Sequence, residues 1–390
     1  MPVRSKDRFL VFGSPLIGEA EIREVVACLE SGWLGTGPKV TRFEREFAAY
    51  KGAAEAAAVN SCTAALHLSL LALNLAPGDD VITTPLTFCA TVNAILHAGA
   101  VPVLADVDPA TMNIDPARVR EKITPKTKAI LPVHLAGRPC DMDALCAIAE
   151  SRGLFLVEDC AHAIEAVFRG RPVGTFGRFG CFSFYVTKNL VTGEGGMVLA
   201  ARREDLARIK VLGLHGMSAD AWQRFGDEGY RHYFVVEAGF KYNMMDLQAA
   251  LGLHQLARLE ENLARREAVW ARYDEALAGL PLVLPAPPGP GTRHARHLYT
   301  VLVDEKAAGL SRDGFLQAMT REGIGMGVHY LSLPEHPYYR ERLGWRPEDW
   351  PQAMRIGRTT ASLPLSAKLS DADVGDVITA ARRVLKAGGS

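Results

Sequence analysis

The chain of 390 residues carries 44 basic and 44 acidic side chains, which gives a formal net charge of zero. This balance, without any concentrated basic tract, argues against a nucleic-acid partner. The first residues contain only a short apolar run, and no later window of about 18 apolar residues suggests a membrane span. Seven cysteines without a CxxC pair predict reduced thiols and a cytoplasmic protein.

Short apolar segments alternate with helical stretches between residues 50 and 200. The predicted strands are Glu55–Val59, Asp80–Thr84, Val101–Val107, Ala129–Val133, Leu154–Glu158, Cys181–Tyr185 and Met197–Ala200. Helices are predicted at Thr63–Leu75 and Phe88–His97. Near-continuous apolar strands separated by helices indicate an α/β fold with a mostly parallel sheet covered on both faces. Ligands of such folds bind beyond the carboxyl ends of the strands.

The remainder of the chain predicts a second, smaller α+β domain. A long connecting helix is predicted at about residues 246–280, and a Pro/Gly-rich linker follows at 281–292. Beyond the linker, the pattern predicts a strand at His297–Val303 and helices at Ser311–Glu322 and Asp371–Leu385. We therefore predict a large domain over residues 1–250 and a smaller one over residues 251–390.

Lys188 and Asp159 are the first candidates for chemistry. Lys188 follows a predicted buried strand and precedes a glycine-rich turn, and Asp159 ends another apolar segment. Enzymes that use pyridoxal phosphate (PLP) need such a pair, because the lysine forms a Schiff base and the aspartate keeps the pyridine nitrogen protonated. The lysine must be neutral to react, so burial beside other cations should lower its pKa. The alternative is a solvated loop lysine.

Two neighbours of Asp159 also bear on the site. Glu158 and Asp159 are adjacent on a predicted strand, so their side chains should point to opposite faces and only one can serve the site. Asp159 is the better candidate because it ends the apolar run. His162 could share its face and contact the hydroxyl of the cofactor ring, or it could be a helix-cap or surface histidine.

Three further segments could contribute. Cys62 and Thr63 lie at the start of a predicted helix. The free N–H groups there could bind a phosphate, or the segment could be an ordinary N-cap. Phe88 follows a predicted strand and could stack on a pyridine ring or belong to the core. His329 and His336 have no third clear ligand, so we predict a substrate-facing loop there and no metal site.

A series of short segments adds a signal that covers nearly the whole chain. In chain order they are Ser31–Pro38, Asn60–Leu66, Thr84–Thr91, Pro132–Pro139, Val157–Ala163, Phe182–Asn189, Gly193–Gly196, Gly239–Ala250, Gly327–Tyr330 and Leu363–Pro364. Together they resemble the DegT/DnrJ/StrS family of PLP-dependent nucleotide-sugar aminotransferases. The resemblance implies the aspartate-aminotransferase fold (fold type I), with a mostly parallel seven-stranded sheet between helices and a smaller C-terminal α+β domain.

The resemblance also implies roles for residues around the cofactor ring. Lys188 would carry PLP as a Schiff base and shuttle the proton between substrate and cofactor. Asp159 would pair with the pyridinium nitrogen, and Phe88 would cover one ring face. His162 stands where many relatives have glutamine, and either side chain can hydrogen-bond the ring oxygen.

Other roles implied by the resemblance concern the phosphate and the substrate. Cys62, Thr63 and Ser183 would bind the phosphate. Asn243 is similar to the family asparagine that reaches the phosphate of the neighbouring subunit, which implies a homodimer with active sites at its interface. The substrate-side positions would be Trp33, His215, Lys241, His329 and Tyr330.

The function that the resemblance implies is transamination in a ping-pong cycle, with pyridoxamine phosphate as the intermediate form of the cofactor. L-Glutamate would be the donor, and a UDP-, dTDP- or GDP-linked keto-sugar, preferably a 4-keto-6-deoxy sugar, the acceptor. Relatives with histidine at the lysine position act as sugar dehydrases, and Lys188 disfavours that branch. A PLP lyase or dehydrase, or a non-catalytic protein that binds PLP or a sugar nucleotide, remains an alternative.

Overall fold

The computed structural model describes residues 1–218 and 232–387 of the chain. The strands of these residues are β1 Ala56–Val59, β2 Asp80–Thr83, β3 Val101–Leu104, β4 Thr127–Leu131, β5 Phe155–Asp159, β6 Val167–Phe168, β7 Arg171–Pro172, β8 Phe179–Ser183, β9 Gly196–Ala200, β10 Leu282–Val283, β11 Thr292–Arg293, β12 Tyr299–Val303 and β13 Thr360–Leu363. The helices are α1 Glu19–Ser31, α2 Pro38–Lys51, α3 Cys62–Ala72, α4 Cys89–His97, α5 Pro116–Lys122, α6 Met142–Arg152, α7 Arg203–Gly213, α8 Asp246–Ala257, α9 Leu259–Leu277, α10 Glu305–Ala308, α11 Arg312–Arg321, α12 Pro337–Leu343, α13 Pro351–Thr359 and α14 Asp371–Ala387.

The large sheet has seven strands in the order β1-β9-β8-β5-β4-β2-β3. Strand β9 runs antiparallel to both of its neighbours, β1 and β8. The other pairs are parallel, as expected for strands that alternate with helices. Apolar residues on both faces of these strands are buried, because helices cover the sheet on each side. The predicted α/β fold class and mostly parallel seven-stranded sheet are confirmed.

The predicted connecting helix is two helices, α8 and α9, rather than one. Arg258, between them, leaves helical geometry with φ −110° and ψ 16°. Its guanidinium donates to the carbonyl oxygen of Leu16 at 2.7 Å and forms an ion pair with Glu21 of α1. These contacts with a distant part of the chain hold Arg258 at the break, although the local sequence contains no helix breaker.

A second core lies in the C-terminal part of the chain. Strands β10, β12 and β13 form a three-stranded antiparallel sheet, against which α9, α11 and α14 pack. Tyr273, Tyr299 and Phe315 are fully buried there. The predicted linker at 281–292 contains β10, because Leu282 pairs with Val303 at the sheet edge and packs on this core. The domain division at residue 250 stays a prediction.

The topology gathers polar residues at one edge of the large sheet. Asp159 ends β5 and Ser183 ends β8, and these two strands are parallel neighbours. Helix α3 begins directly after β1, and α4 begins after β2. Parallel strands present their carboxyl ends at the same edge, so these segments converge. In the described part of the chain, no helix has the length and apolar character to cross a membrane.

Candidate active site

A cavity of about 590 Å³ lies at this edge, and it contains most of the predicted site residues. The predicted residues in its lining are Cys62, Thr63, Phe88, Asp159, His162, Ser183, Lys188, His329 and Tyr330. Its volume falls within the usual range for small-molecule sites. The structure therefore brings together residues that are up to 268 positions apart, from Cys62 to Tyr330.

Lys188 lies in the turn that follows β8. Its N–H donates to the carbonyl oxygen of Tyr185 at 2.8 Å, and Gly195 has a φ of 158° at the other end of this loop. Burial lowers the pKa of Lys188 to about 8, while the nearby Cys62 and Asp159 act in the opposite direction. The expected lowering is present, but desolvation causes it rather than neighbouring cations. An amine with this pKa is partly neutral near physiological pH.

Asp159 is a buried carboxylate at the end of β5. Oδ2 accepts a hydrogen bond from the Thr91 hydroxyl at 2.9 Å, and Oδ1 accepts one from Ala161 N–H at 3.1 Å. Burial raises its pKa, and those two hydrogen bonds partly oppose the shift. None of the residues within 1–218 and 232–387 forms an ion pair with it. A positively charged ring nitrogen would supply the missing counter-charge.

Glu158 points to the opposite face of β5, as the strand geometry predicts. Its Oε1 accepts from the N–H groups of Phe176 and Gly177, and its Oε2 from Gly174 N–H, each at 2.7 Å. His134 Nε2 lies 3.2 Å from Oε2. Glu158, His134 and Cys160 could in principle surround a metal ion. These hydrogen bonds already occupy the carboxylate, so the cluster is better explained as a structural anchor.

His162 is buried beside Tyr330. Its Nδ1 accepts a hydrogen bond from Ala136 N–H at 3.2 Å, and its Nε2 lies 3.0 Å from the Tyr330 hydroxyl. Burial, followed by the charge of Lys188, holds the pKa of His162 well below its usual value. The ring is therefore neutral, and its single proton is on Nε2 because Nδ1 is an acceptor. That N–H donates to the Tyr330 hydroxyl, whose own hydrogen is then available to an oxygen in the cavity.

His297 also lines the cavity, although the sequence pattern did not single it out. Its ring lies 4.5 Å from the ring of His162. Asn189 donates both of its amide hydrogens, to Glu165 and to the Ala295 carbonyl, so its Oδ1 accepts from His297 Nδ1 at 3.0 Å. Asn189 follows Lys188 directly. Its place after the predicted lysine is the only sequence signal that could have indicated this contact.

The start of α3 has the form of an anion site. Ser61 is the N-cap, because its hydroxyl accepts from Ala64 N–H at 3.1 Å. The first residues of the helix, Cys62 and Thr63, line the cavity. A Cβ on Gly196 would lie 2.6 Å from the Ser61 carbonyl carbon, so only glycine allows β9 to approach this closely. Backbone N–H groups and the helix dipole favour a phosphate here.

Phe88 and Ser183 complete this end of the cavity. Phe88 is 57% exposed at the start of α4, and its ring lies 5.9 Å from that of Tyr330. This exposure contradicts the alternative interpretation, in which Phe88 belongs to the hydrophobic core. Ser183 pairs with Gly196, the residue that approaches Ser61, and its hydroxyl can add a hydrogen bond to an anion in the cavity. The lysine with its lowered pKa, the buried carboxylate, the exposed ring and the anion site fit PLP.

The remaining predicted residues lie outside this cavity. Trp33 and Asn243 line a second cavity of about 380 Å³. Asn243 Nδ2 donates to Thr36 Oγ1 at 2.6 Å, whereas its buried Oδ1 has no hydrogen-bond partner among the described residues. His215 and Lys241 are exposed. A single chain therefore does not bring these four residues to Lys188.

Comparisons with known proteins agree with this geometry. Residues 15–382 match the model of the DegT/DnrJ/EryC1/StrS aminotransferase family. The chain is 50% identical to the spore coat polysaccharide biosynthesis protein SpsC of Bacillus subtilis, over 98% of this chain and 99% of SpsC.

Solved structures extend the comparison to the cofactor. The PMP form of the putative sugar aminotransferase Spr1654 from Streptococcus pneumoniae superposes with a TM-score of 0.91 at 35% identity, covering 97% of this chain and 100% of Spr1654. A PLP form of the same protein superposes with a TM-score of 0.90. PseC of Helicobacter pylori, an aminotransferase of pseudoaminic acid biosynthesis, gives 0.90 at 26% identity, with 97% and 100% coverage. The chain thus belongs to the DegT/DnrJ/EryC1/StrS aminotransferase family and is a PLP-dependent sugar aminotransferase.

Proposed function

We propose that this enzyme transfers the amino group of L-glutamate to a nucleotide-linked keto-sugar, in particular a UDP-, dTDP- or GDP-4-keto-6-deoxy sugar. The observation that carries the proposal is that Lys188 and Asp159 lie in one cavity, each with a pKa shifted by burial. SpsC acts in polysaccharide biosynthesis and PseC in pseudoaminic acid biosynthesis, which supports a carbohydrate acceptor. Both half-reactions would use the same cavity in a ping-pong cycle.

The residues around the ring divide the chemical work. Bound PLP supplies an electron sink for the charge left when the substrate loses its α-proton. Lys188 would hold the cofactor, and its Nζ, as an amine whose pKa burial lowers, would accept and return that proton. Asp159 would keep the ring nitrogen protonated. His162 would contact the ring oxygen together with the Tyr330 hydroxyl to which it is hydrogen-bonded, and Phe88 would cover one face of the ring.

The phosphate would anchor the cofactor at the start of α3. Cys62 and Thr63 would contribute there through backbone N–H groups and the threonine hydroxyl, and Ser183 through its hydroxyl. Such anchoring fixes the reacting carbon beside Lys188, and orientation of this kind is a large part of the catalytic effect.

We further propose a homodimer in the cytoplasm. Asn243, Trp33, His215 and Lys241 lie away from the cavity of their own chain, which is consistent with a role at the cavity of a second copy. In that arrangement Asn243 would donate to the neighbouring phosphate the Nδ2 hydrogen that Thr36 does not accept. The described cysteines are all unpaired, which agrees with a reducing compartment.

Half-reactions measured separately would test this function. The PLP-loaded protein should lose its visible cofactor absorbance when L-glutamate is added, and recover it when the correct keto-sugar is added. Amino-sugar product should carry nitrogen from ¹⁵N-glutamate. Lys188→Ala should fold and abolish turnover, and normal activity in that variant would refute the mechanism. A sugar product without ¹⁵N would indicate a dehydrase instead.

A further inference from the structure

The first residues of the chain form an arm that lies against the C-terminal core. We define the arm as residues 3–13. Arg4 Nη1 donates to Asp373 at 2.6 Å and to Asp376 at 3.0 Å, both in α14. Further along the arm, Leu10 N–H donates to the Gly323 carbonyl at 2.9 Å, and Gly325 N–H donates to the Leu10 carbonyl at 2.8 Å. The arm is thus tied to the C-terminal part at two places.

The arm ends at the active-site cavity, where Phe12 forms part of the lining. The Phe12 ring stacks on His329 with centroids 5.4 Å apart and planes inclined by 30°. A Cβ on Gly327 would lie 2.6 Å from His329 Cε1 and 3.0 Å from Phe12 Cζ. The backbone at Gly327 therefore leaves room for this pair only because it has no side chain. Ser362 Oγ lies 2.9 Å from His329 Nδ1 and holds the imidazole from another direction.

The chemistry of this wall distinguishes between the two substrates. Burial lowers the pKa of His329 to about 4, so Phe12 and His329 form an uncharged aromatic wall. The face of an aromatic ring is electron-rich, which disfavours the carboxylates of glutamate and favours the C–H face of a pyranose ring. Phe12 has no polar group that could serve the phosphate or the ring nitrogen. Its contribution therefore fits the sugar.

We propose that Phe12 is a specificity-determining residue for the sugar acceptor, which packs its apolar face on the Phe12 ring, while Phe12 also holds His329 in place. The arm keeps Phe12 in the cavity through the contacts of Arg4 and Leu10. This inference rests on the proposed function, since it needs separate donor and acceptor half-reactions. It predicts that changes in the arm affect the acceptor half-reaction selectively.

The test compares Phe12→Ala with the parent holoenzyme in each half-reaction. The probes are L-glutamate for the PLP form, and UDP-, dTDP- and GDP-4-keto-6-deoxy sugars for the pyridoxamine phosphate form. We expect kcat/KM for the accepted sugar to fall roughly tenfold, mainly through KM, because a large apolar contact is lost. The glutamate half-reaction should stay within about twofold of the parent. Val11→Ala, at the exposed neighbouring position, is the matched control and should leave the rates of both half-reactions unchanged.

Each outcome decides between explanations. If the parent itself performs neither half-reaction, the proposed function fails before the role of Phe12 is reached. If the parent performs both and Phe12→Ala leaves the sugar kinetics unchanged, or slows both half-reactions equally, the inference is overturned. Should Phe12→Ala not fold, Phe12→Leu retains apolar volume without the ring and must show the same selective rise in sugar KM.

The anchor of the arm provides a second, remote test. Arg4→Ala removes the contacts with Asp373 and Asp376, at a distance from the chemistry. We expect the same selective rise in sugar KM, smaller than for Phe12→Ala. Arg4→Lys should partly restore the sugar KM, because lysine keeps the charge but not the planar group that donates to both aspartates. An Arg4→Ala enzyme with parental sugar KM would show that the arm does not position Phe12.

Discussion

The protonation state of Lys188 should set how fast the cofactor-free enzyme takes up PLP. Burial lowers its pKa from the ordinary value of 10.5 to about 8, and only the neutral amine can attack the aldehyde. The rate of uptake should therefore increase with pH up to about 8 and level off above it. Stopped-flow absorbance after PLP addition, from pH 6 to pH 10, measures this profile. A rate that continues to rise towards pH 10 would contradict the buried, lowered pKa.

Asp159 should be required for its charge rather than for its shape. Asp159→Asn keeps the size of the side chain and an oxygen that can accept from Thr91, but it cannot hold a proton on the ring nitrogen. We expect the rate of both half-reactions to fall by about a hundredfold or more. Thr91→Val is the comparison, since it removes one hydrogen bond and retains the carboxylate, and it should cost much less. Equal rates in Asp159→Asn and the parent would assign the ring nitrogen to another residue.

Single residues were predictable where chemistry and position coincide. Lys188 and Asp159 have reactive groups at strand ends, so the strand pattern alone predicted that they would meet. Thr91, His297 and Phe12 were missed because their roles depend on which distant segment they contact. Of the three, Thr91 was the easiest to predict from the sequence, because it lies in the first turn of the same helix as Phe88.

At the level of elements, the start of α3 has an observed N-cap and a proposed phosphate site, which a pair of substitutions can separate. Ser61→Ala removes the N-cap and should destabilise the protein by about 1 kcal/mol, and denaturant unfolding measures the loss. Ser61→Asp should retain the cap, because aspartate is an equally good N-cap residue. Its negative charge should nevertheless weaken PLP binding beside the phosphate site, as measured by cofactor titration. Unweakened PLP binding in Ser61→Asp would place the phosphate elsewhere.

The seven strands of the large sheet were predicted from their apolar pattern, whereas several helices on its surface were not: α1, α2, α5, α6 and α7. Strand β9 is as apolar as its neighbours, so its sequence does not reveal that it runs antiparallel to them. The break at Arg258 depends on Leu16 and Glu21, which lie more than 200 residues away in the sequence. Strand β10 lies in a proline-rich stretch that predicts a loop, yet Leu282 finds a pairing partner.

At the level of the whole molecule, the surface of α1 is suited to contact with a second copy. Ile22, Val26 and Leu29 are 56%, 45% and 54% exposed and lie on one side of the helix. Val26→Asp should therefore favour the monomer and reduce turnover, since in the proposed homodimer Asn243 would then no longer reach the neighbouring site. Light scattering measures the oligomeric state, and an activity assay at the same protein concentration measures turnover. Val283→Asp, on the exposed edge of the C-terminal sheet, is the control and should change neither.

The large-scale organisation was only partly predictable. The sheet and the family resemblance indicated the fold and the cavity. The contact of the arm with α14 and Gly323 could not be predicted, because charge pairing across 369 residues leaves no local pattern.

If Val26→Asp remained a fully active dimer, the interface would have to be sought on another face.

The isolated charge of Asp159 has a consequence for the life of the protein in a cell. Its neighbour Glu158 accepts three backbone hydrogen bonds, whereas Asp159 forms no ion pair with the described residues and, in the proposed site, would obtain its counter-charge from bound PLP. A ligand that binds only the native state shifts the folding equilibrium towards it. Newly made chains should thus be more vulnerable to proteases until they are loaded, and vitamin B6 supply would regulate the amount of this enzyme as well as its activity.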